Sequence, residues 1–193
     1  MRYEWLMRKL LFLAFVAPSI VACGPPYTLV ARAVPSPFTR PGCRVRIEHL
    51  HAERLFIGDK PATEYVSEKK AESADSFDAD VRDSDAAFAQ ELAADDGSLF
   101  LPGAPDNTFV IRPVFTNWEP GFYAYFVSHP SEAHLTVDVL SPSGQLLDRV
   151  GIDRRVNASM TNPSSGGRMR VALHDAADAL SAYISDNWAC AAH

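Results

Sequence analysis

An unbroken apolar face near the C-terminus limits this chain more than any other feature. Met169, Leu173, Ala176, Ala177, Leu180, Tyr183, Ile184 and Trp188 recur at helical spacing over several turns. Most of the stability of such a helix comes from packing that face on something else. The sequence supplies a sheet for the purpose. Residues 133–140 alternate apolar and polar, Ser141-Pro142-Ser143-Gly144 turns the chain, and residues 145–152 return as the clearest hairpin. Residues 43–50, 107–115 and 122–127 read as further strands. Pro113 has no N–H for a ladder, which places its strand at an edge or a bulge. Trp118-Glu119-Pro120-Gly121 reads as a turn.

Ser164 or Ser165 caps the long helix, with Arg168, Arg170, His174, Asp175, Asp178 and Asp186 on its polar side. Residues 58–96 are acidic and polar, yet Phe77, Val81, Phe88 and Leu92 share one helical face. Asp83, Ser84 and Asp85 offer an N-cap to a core helix at about 85–94, which Gly97 ends. The expected fold class is α+β. It is a single α/β sandwich domain over 42–193, with a mainly antiparallel sheet packed by a long C-terminal amphipathic helix and one shorter helix.

The front of the chain carries an address. Arg8 and Lys9 precede the apolar run Leu10–Ala17, and Pro18-Ser19 breaks it. This is the layout of a signal peptide over 1–22, and the run is too short for a membrane span of about 20 residues. Ile20-Val21-Ala22-Cys23 resembles the bacterial lipobox. The resemblance implies a diacylglyceryl thioether on Cys23, cleavage before it and acylation (palmitate) of the new N-terminus. An ordinary secreted protein with a chance cysteine at its cut is the competing reading. Gly24 after the cysteine carries no inner-membrane retention signal. In a two-membrane bacterium the location is then the outer membrane, facing the periplasm. Residues 23–41 hold Pro25, Pro26, Pro35, Pro37 and Pro41 and read as a semi-stiff tether. Tyr27-Thr28-Leu29-Val30 is able to pack on the domain instead.

Removing Arg2, Arg8, Lys9 and Glu4 with the signal segment takes 18 basic and 24 acidic side chains to 15 and 23, a net charge of −8. So acidic a domain is poorly suited to nucleic acid. With Cys23 assigned to lipid, Cys43 and Cys190 remain at the two ends of the domain. Export favours a disulfide between them over two free thiols. Closing so long a loop stabilises by about 4–5 kcal/mol in the chain-entropy model.

No GxSxG, HExxH, GxGxxG or P-loop pattern is present. The chain therefore reads as no enzyme, with no cofactor, no catalytic residue and no metal. The alternative is an envelope metal-binding protein or hydrolase using His49, His51 and carboxylates such as Glu53. Asp75, Asp78, Asp80, Asp83 and Asp85 lack the spacing of a calcium loop and read as a solvated acidic face. Ser164-Ser165-Gly166-Gly167 beside Arg168 and Arg170 is able to hold an anion, but a capped helix start explains it more simply. His174 and Asp178 form a polar i, i+4 pair, and His129 has no evident partner. The candidate partner surface is the aromatic stretch Trp118, Phe122, Tyr123, Tyr125 and Phe126, unless alternate rings fill the core.

Taken in order, the chain resembles small bacterial envelope lipoproteins of unknown function with an α/β sandwich. It is similar in outline to the auxiliary lipoproteins of envelope ABC transporters. The residues that carry the resemblance are Glu119-Pro120-Gly121, the hairpin at Ser143-Gly144, and Ser164-Ser165-Gly166-Gly167-Arg168-Met169-Arg170, within about 43–188. It implies a non-enzymatic accessory or assembly role, with membrane contact through lipid on Cys23 and a protein partner in the envelope.

Overall fold

The expected hairpin is the centre of the sheet. The structure, a computed structural model, describes residues 24–33, 45–96, 108–124 and 127–187. In chain order the elements are β1 (Thr28–Arg32), β2 (Val45–Ile47), β3 (Phe56–Ile57), β4 (Lys60–Pro61), α1 (Ala62–Ser67) and α2 (Ala71–Asp96). Then come β5 (Phe109–Glu119), β6 (Phe122–Ala124), β7 (Val127–His129), β8 (Ser131–Leu140), β9 (Leu146–Val156) and α3 (Ser165–Asn187). The main sheet runs β1-β9-β8-β5-β3-β4, and β2 also pairs with β5. β2 and β3 lie parallel to β5, and the remaining pairs are antiparallel. β6 and β7 form a separate two-stranded ribbon.

The α+β sandwich is as expected. α3 packs on β8 and β9, and α2 packs on α3. Period-2 alternation points Leu135, Val137 and Val139 of β8, and Val150 and Ile152 of β9, at the helix layer. Met169, Leu173, Ala176, Ala177, Leu180, Tyr183 and Ile184 meet them, and Phe88 and Leu92 of α2 complete the core. Gly144, at φ 80°, turns the hairpin, and Ser141 closes it by accepting from the Gly144 N–H at 2.9 Å.

Three local expectations need correction. β5 continues through Trp118 and Glu119, and the turn begins only at Pro120-Gly121. A register shift between Phe115 and Asn117 lets Ile111, Phe115 and Trp118 share the core face. Pro113 lies on this interior strand, not an edge one. Its missing donor falls where the parallel pairing slips, between Ile47 opposite Ile111 and His51 opposite Val114.

α2 begins at Ala71, far upstream of the expected cap. Ser84 is buried inside it, its hydroxyl donating to the Asp80 carbonyl at 2.6 Å. The added turns are held by Phe77 and Val81, half-buried against the core, and by a Tyr65–Phe77 ring contact at 5.6 Å.

The third concerns the front of the domain. Thr28–Arg32 is edge strand β1, paired with Asp148–Gly151 of β9, so the alternative of Tyr27–Val30 packing on the domain holds and the tether reading of this stretch does not. Pro35, Pro37 and Pro41 therefore lie in sequence between two strands, not between anchor and domain. Among the described residues no helix is long and apolar enough to cross a membrane.

Candidate interaction surface

α3 packs on one face of the sheet, and among the described residues charged side chains line the other face of β8 and β9. Asp138 and Arg149, His134 and Asp153, and Glu132 and Arg155 are directly opposite one another on β8 and β9. They approach to 2.6, 2.7 and 3.7 Å. Glu48 adds a contact to Arg112 at 2.7 Å, and this hydrogen bond holds its carboxyl below the usual range. Opposite charges set across a sheet stabilise one another. Among the described residues these charges are matched in pairs of opposite sign.

The two expected histidines do not converge. β2 stops at Ile47, so His49 and His51 never share a strand face. His49 is almost fully exposed and looks toward Asp85 of α2 at 3.7 Å. His51 lies between Glu48 and Glu53, each 3.2 Å from one ring nitrogen. The expected pairing of His51 with Glu53 is present, but without a second histidine. The acidic run lies within α2, where Asp75, Asp78 and Asp83 are exposed as a solvated face expects, and three of its five members also make contacts with the rest of the fold. Asp85 accepts from the Leu50 N–H at 3.1 Å, Asp83 pairs with Arg170 at 2.9 Å, and Asp80 abuts Gly166.

The aromatic surface is smaller than expected. Trp118 is buried, 1% exposed, with its indole N–H donating to the Ser165 hydroxyl at 3.3 Å, so it belongs to the core and is withdrawn from the surface. Tyr123 is half-buried, while Phe122 is 51% exposed and stacks on His129 at 6.0 Å. Val127 stands 62% exposed on the facing strand. Tyr125 and Phe126 lie outside the described residues, as do Cys23, Cys43 and Cys190. What remains is a short β6–β7 ribbon presenting Phe122 and Val127.

Its base is fixed by a buried cation that the sequence placed on the polar side of α3. Arg168 is 1% exposed. Its guanidinium donates to the Ser131 hydroxyl at 2.6 Å, the Pro120 carbonyl at 2.8 Å, the Asn162 carbonyl at 3.3 Å and the Pro163 carbonyl. Burial lowers its pKa, but arginine stays charged in proteins. Glu119-Pro120-Gly121 and Ser164–Arg170 are thereby joined at one point. Gly121, at φ 57°, is required there because a Cβ would fall 2.4 Å from two carbonyl oxygens. The Ser164 hydroxyl accepts from the Gly167 N–H at 3.1 Å, which is the expected helix cap.

At the other end of α3 lies a second buried charge, absent from the sequence reading. Asp148 is wholly buried and accepts from the Tyr183 hydroxyl at 2.7 Å and from Arg32 of β1 at 2.9 and 3.1 Å. Arg32 also donates to Asn187 at 2.6 Å, and the Tyr27 hydroxyl donates to Asp186 at 2.9 Å. This network fastens β1 to the body of the domain.

No family model and no curated protein matches the chain. Among solved structures it is similar to the PelC dodecamer from Paraburkholderia phytofirmans at 9% identity and a TM-score of 0.42, covering 79% of this chain and 96% of that one. A single-substitution variant of the same dodecamer matches at 10% identity and a TM-score of 0.42, covering 80% and 97%. At that TM-score the likeness assigns neither a fold family nor a role.

Proposed function

We propose that the protein is a lipid-anchored, non-enzymatic accessory protein of the bacterial envelope, held at the outer membrane on its periplasmic side and acting by contact with a protein partner. The observation that carries this reading is the shortness of the link between anchor sequence and fold. Only Gly24, Pro25, Pro26 and Tyr27 separate Cys23 from β1. That distance is at most about 18 Å of extended chain. Lipid on Cys23 thus holds the β1 edge near the bilayer, and the Arg32–Asp148 network passes that restraint to the core. One acyl chain binds reversibly and two or more bind stably, so the anchor needs no help from a domain whose net charge opposes anionic headgroups. The ribbon bearing Phe122 and Val127 supplies the partner contact, since it carries exposed apolar side chains on a base fixed by Arg168.

Labelling with radioactive palmitate and membrane fractionation test the anchor. Wild-type protein is expected to label and sediment with outer membranes, and Cys23→Ala to be unlabelled and soluble. Continued labelling of that variant rejects the reading. For the contact, a photo-crosslinking side chain at Val127 is expected to give a discrete adduct in cells, whereas one at Asp153 gives none. Equal yields reject the ribbon as the contact.

A further inference from the structure

We propose that Glu91 of α2 with His174 and Asp178 of α3 forms a binding site for a divalent cation of the zinc and nickel class, bridging the two helices. The inference is independent of the lipid anchor. One donor atom from each residue lies within 4.8 Å of the others. His174 Nε2 is already 2.9 Å from Glu91 Oε2. Bonds of about 2.0–2.2 Å to a tetrahedral ion would set such donors about 3.3 Å apart, so small side-chain rotations suffice. The i, i+4 spacing of His174 and Asp178 puts both on one face of α3, and α2 packs directly against that helix. Two packed helices are a stiffer support than a loop.

The donor set selects the ion. One imidazole nitrogen and two carboxylates suit zinc, nickel or copper. Calcium and magnesium need six or more oxygens or a retained water shell. The second nitrogen of the imidazole, Nδ1, faces Asp175 Oδ1 at 3.7 Å, on the side away from Glu91. That separation is too long for a hydrogen bond, and a small rotation of Asp175 would bring it to the position from which an outer carboxylate orients a metal-binding histidine. Arg154 is the neighbouring cation: it donates to the Asp175 carbonyl at 2.8 Å and interacts with the Asp175 and Asp178 carboxylates. His174 and Asp178 are exposed and Glu91 is half-buried, so an ion held by these three side chains keeps open positions for water.

The test is calorimetric titration of the purified protein with zinc chloride, paired with thermal melts. One equivalent is expected to bind, and saturating zinc is expected to raise Tm by several degrees, because the ion binds the folded chain. His174→Ala should weaken binding by about tenfold or more and abolish the Tm rise, as loss of a donor does. Glu91→Gln keeps its shape and should weaken binding likewise, which separates ligation from misfolding. Calcium chloride should produce neither effect. Wild-type affinity in both variants, or neither heat nor a Tm shift in the wild type at millimolar zinc, overturns the proposal.

Discussion

The two ends of α3 bury opposite charges and stabilise them by different means. At the N-terminal end Arg168 has no carboxylate partner among the described residues, and three carbonyls and a hydroxyl surround its guanidinium. A cation in the first turn of a helix opposes the helix dipole, so those acceptors must supply all of its compensation. At the C-terminal end Asp148 is held by the opposite charge of Arg32 and the hydroxyl of Tyr183. The first arrangement ties loops to a helix: Arg168 fixes the base of the ribbon, and none of its acceptors titrates. The second ties an edge strand to the core, and Arg32 keeps about a third of its side chain in water. One end is a fixed base for the β6–β7 ribbon, and the other fastens edge strand β1 to the core.

Arg168→Ala gives the sharpest test. It removes the donor to the Asn162 and Pro163 carbonyls and leaves a cavity where the guanidinium was buried, while the Ser131 hydroxyl still donates to the Pro120 carbonyl. A loss of about 3–5 kcal/mol is expected in urea denaturation. Arg168→Lys keeps the charge but not the planar fork and should recover only part of it. Asp148→Asn leaves Arg32 without its counter-charge, but water still reaches that guanidinium. The expected cost is smaller, about 2–3 kcal/mol, with faster amide exchange confined to β1 and its partners on β9. If Asp148→Asn costs more than Arg168→Ala, the comparison fails.

Gly166→Ala probes the packing beside Arg168. In an open helix this change stabilises by about 1 kcal/mol. Here the new Cβ would lie 2.0 Å from the Asp80 carboxylate, where α2 meets α3. A loss of about 1–2 kcal/mol is expected instead. A gain in Tm would show that α2 yields at this crossing, and that the base of the ribbon is softer than its hydrogen bonds imply.

Much of this was legible in the sequence, and the failures share a cause. The hairpin at Ser141–Gly144 and the apolar face of α3 are set by local turn chemistry and periodicity. Arg168, however, lies in the i+4 row of Ala172, Ala176 and Leu180, and Asp148 in the alternating row of Val150 and Ile152. Their positions marked both as inward-facing, but their charged side chains argued for water. Buried charge depends on partners distant in sequence, such as Pro120 for Arg168 and Arg32 for Asp148, and no window contains them. The same holds for β1, whose partner strand is more than a hundred residues away, and for Glu91, which meets His174 only because α2 packs on α3.

The smallest effect lies at the Asp148 end and depends on pH. Burial, and then the hydrogen bond to the Asp148 carboxylate, hold the Tyr183 phenol protonated well above its ordinary range. An unfolded tyrosine releases its proton near pH 10, or about that value. Above it the unfolded chain binds fewer protons than the folded one, so stability must fall as pH rises. Tyr183→Phe removes a hydrogen bond worth about 1–2 kcal/mol at neutral pH, and it also removes this alkaline loss. Tyr27 and Lys60, whose pKa values are also raised, remain in both proteins and cancel in the difference. The stability gap between wild type and Tyr183→Phe should therefore be constant from pH 7 to about 9.5 and then narrow, by at most about 1.4 kcal/mol per pH unit. The parallel comparison of Arg168→Ala with wild type should stay flat over the same range, because among the described residues the partners of that guanidinium are carbonyls and a hydroxyl, which do not titrate there. A gap for Tyr183→Phe that stays constant through pH 10.5 would mean the phenol does not retain its proton in the fold, and the two ends of α3 would then differ in geometry alone.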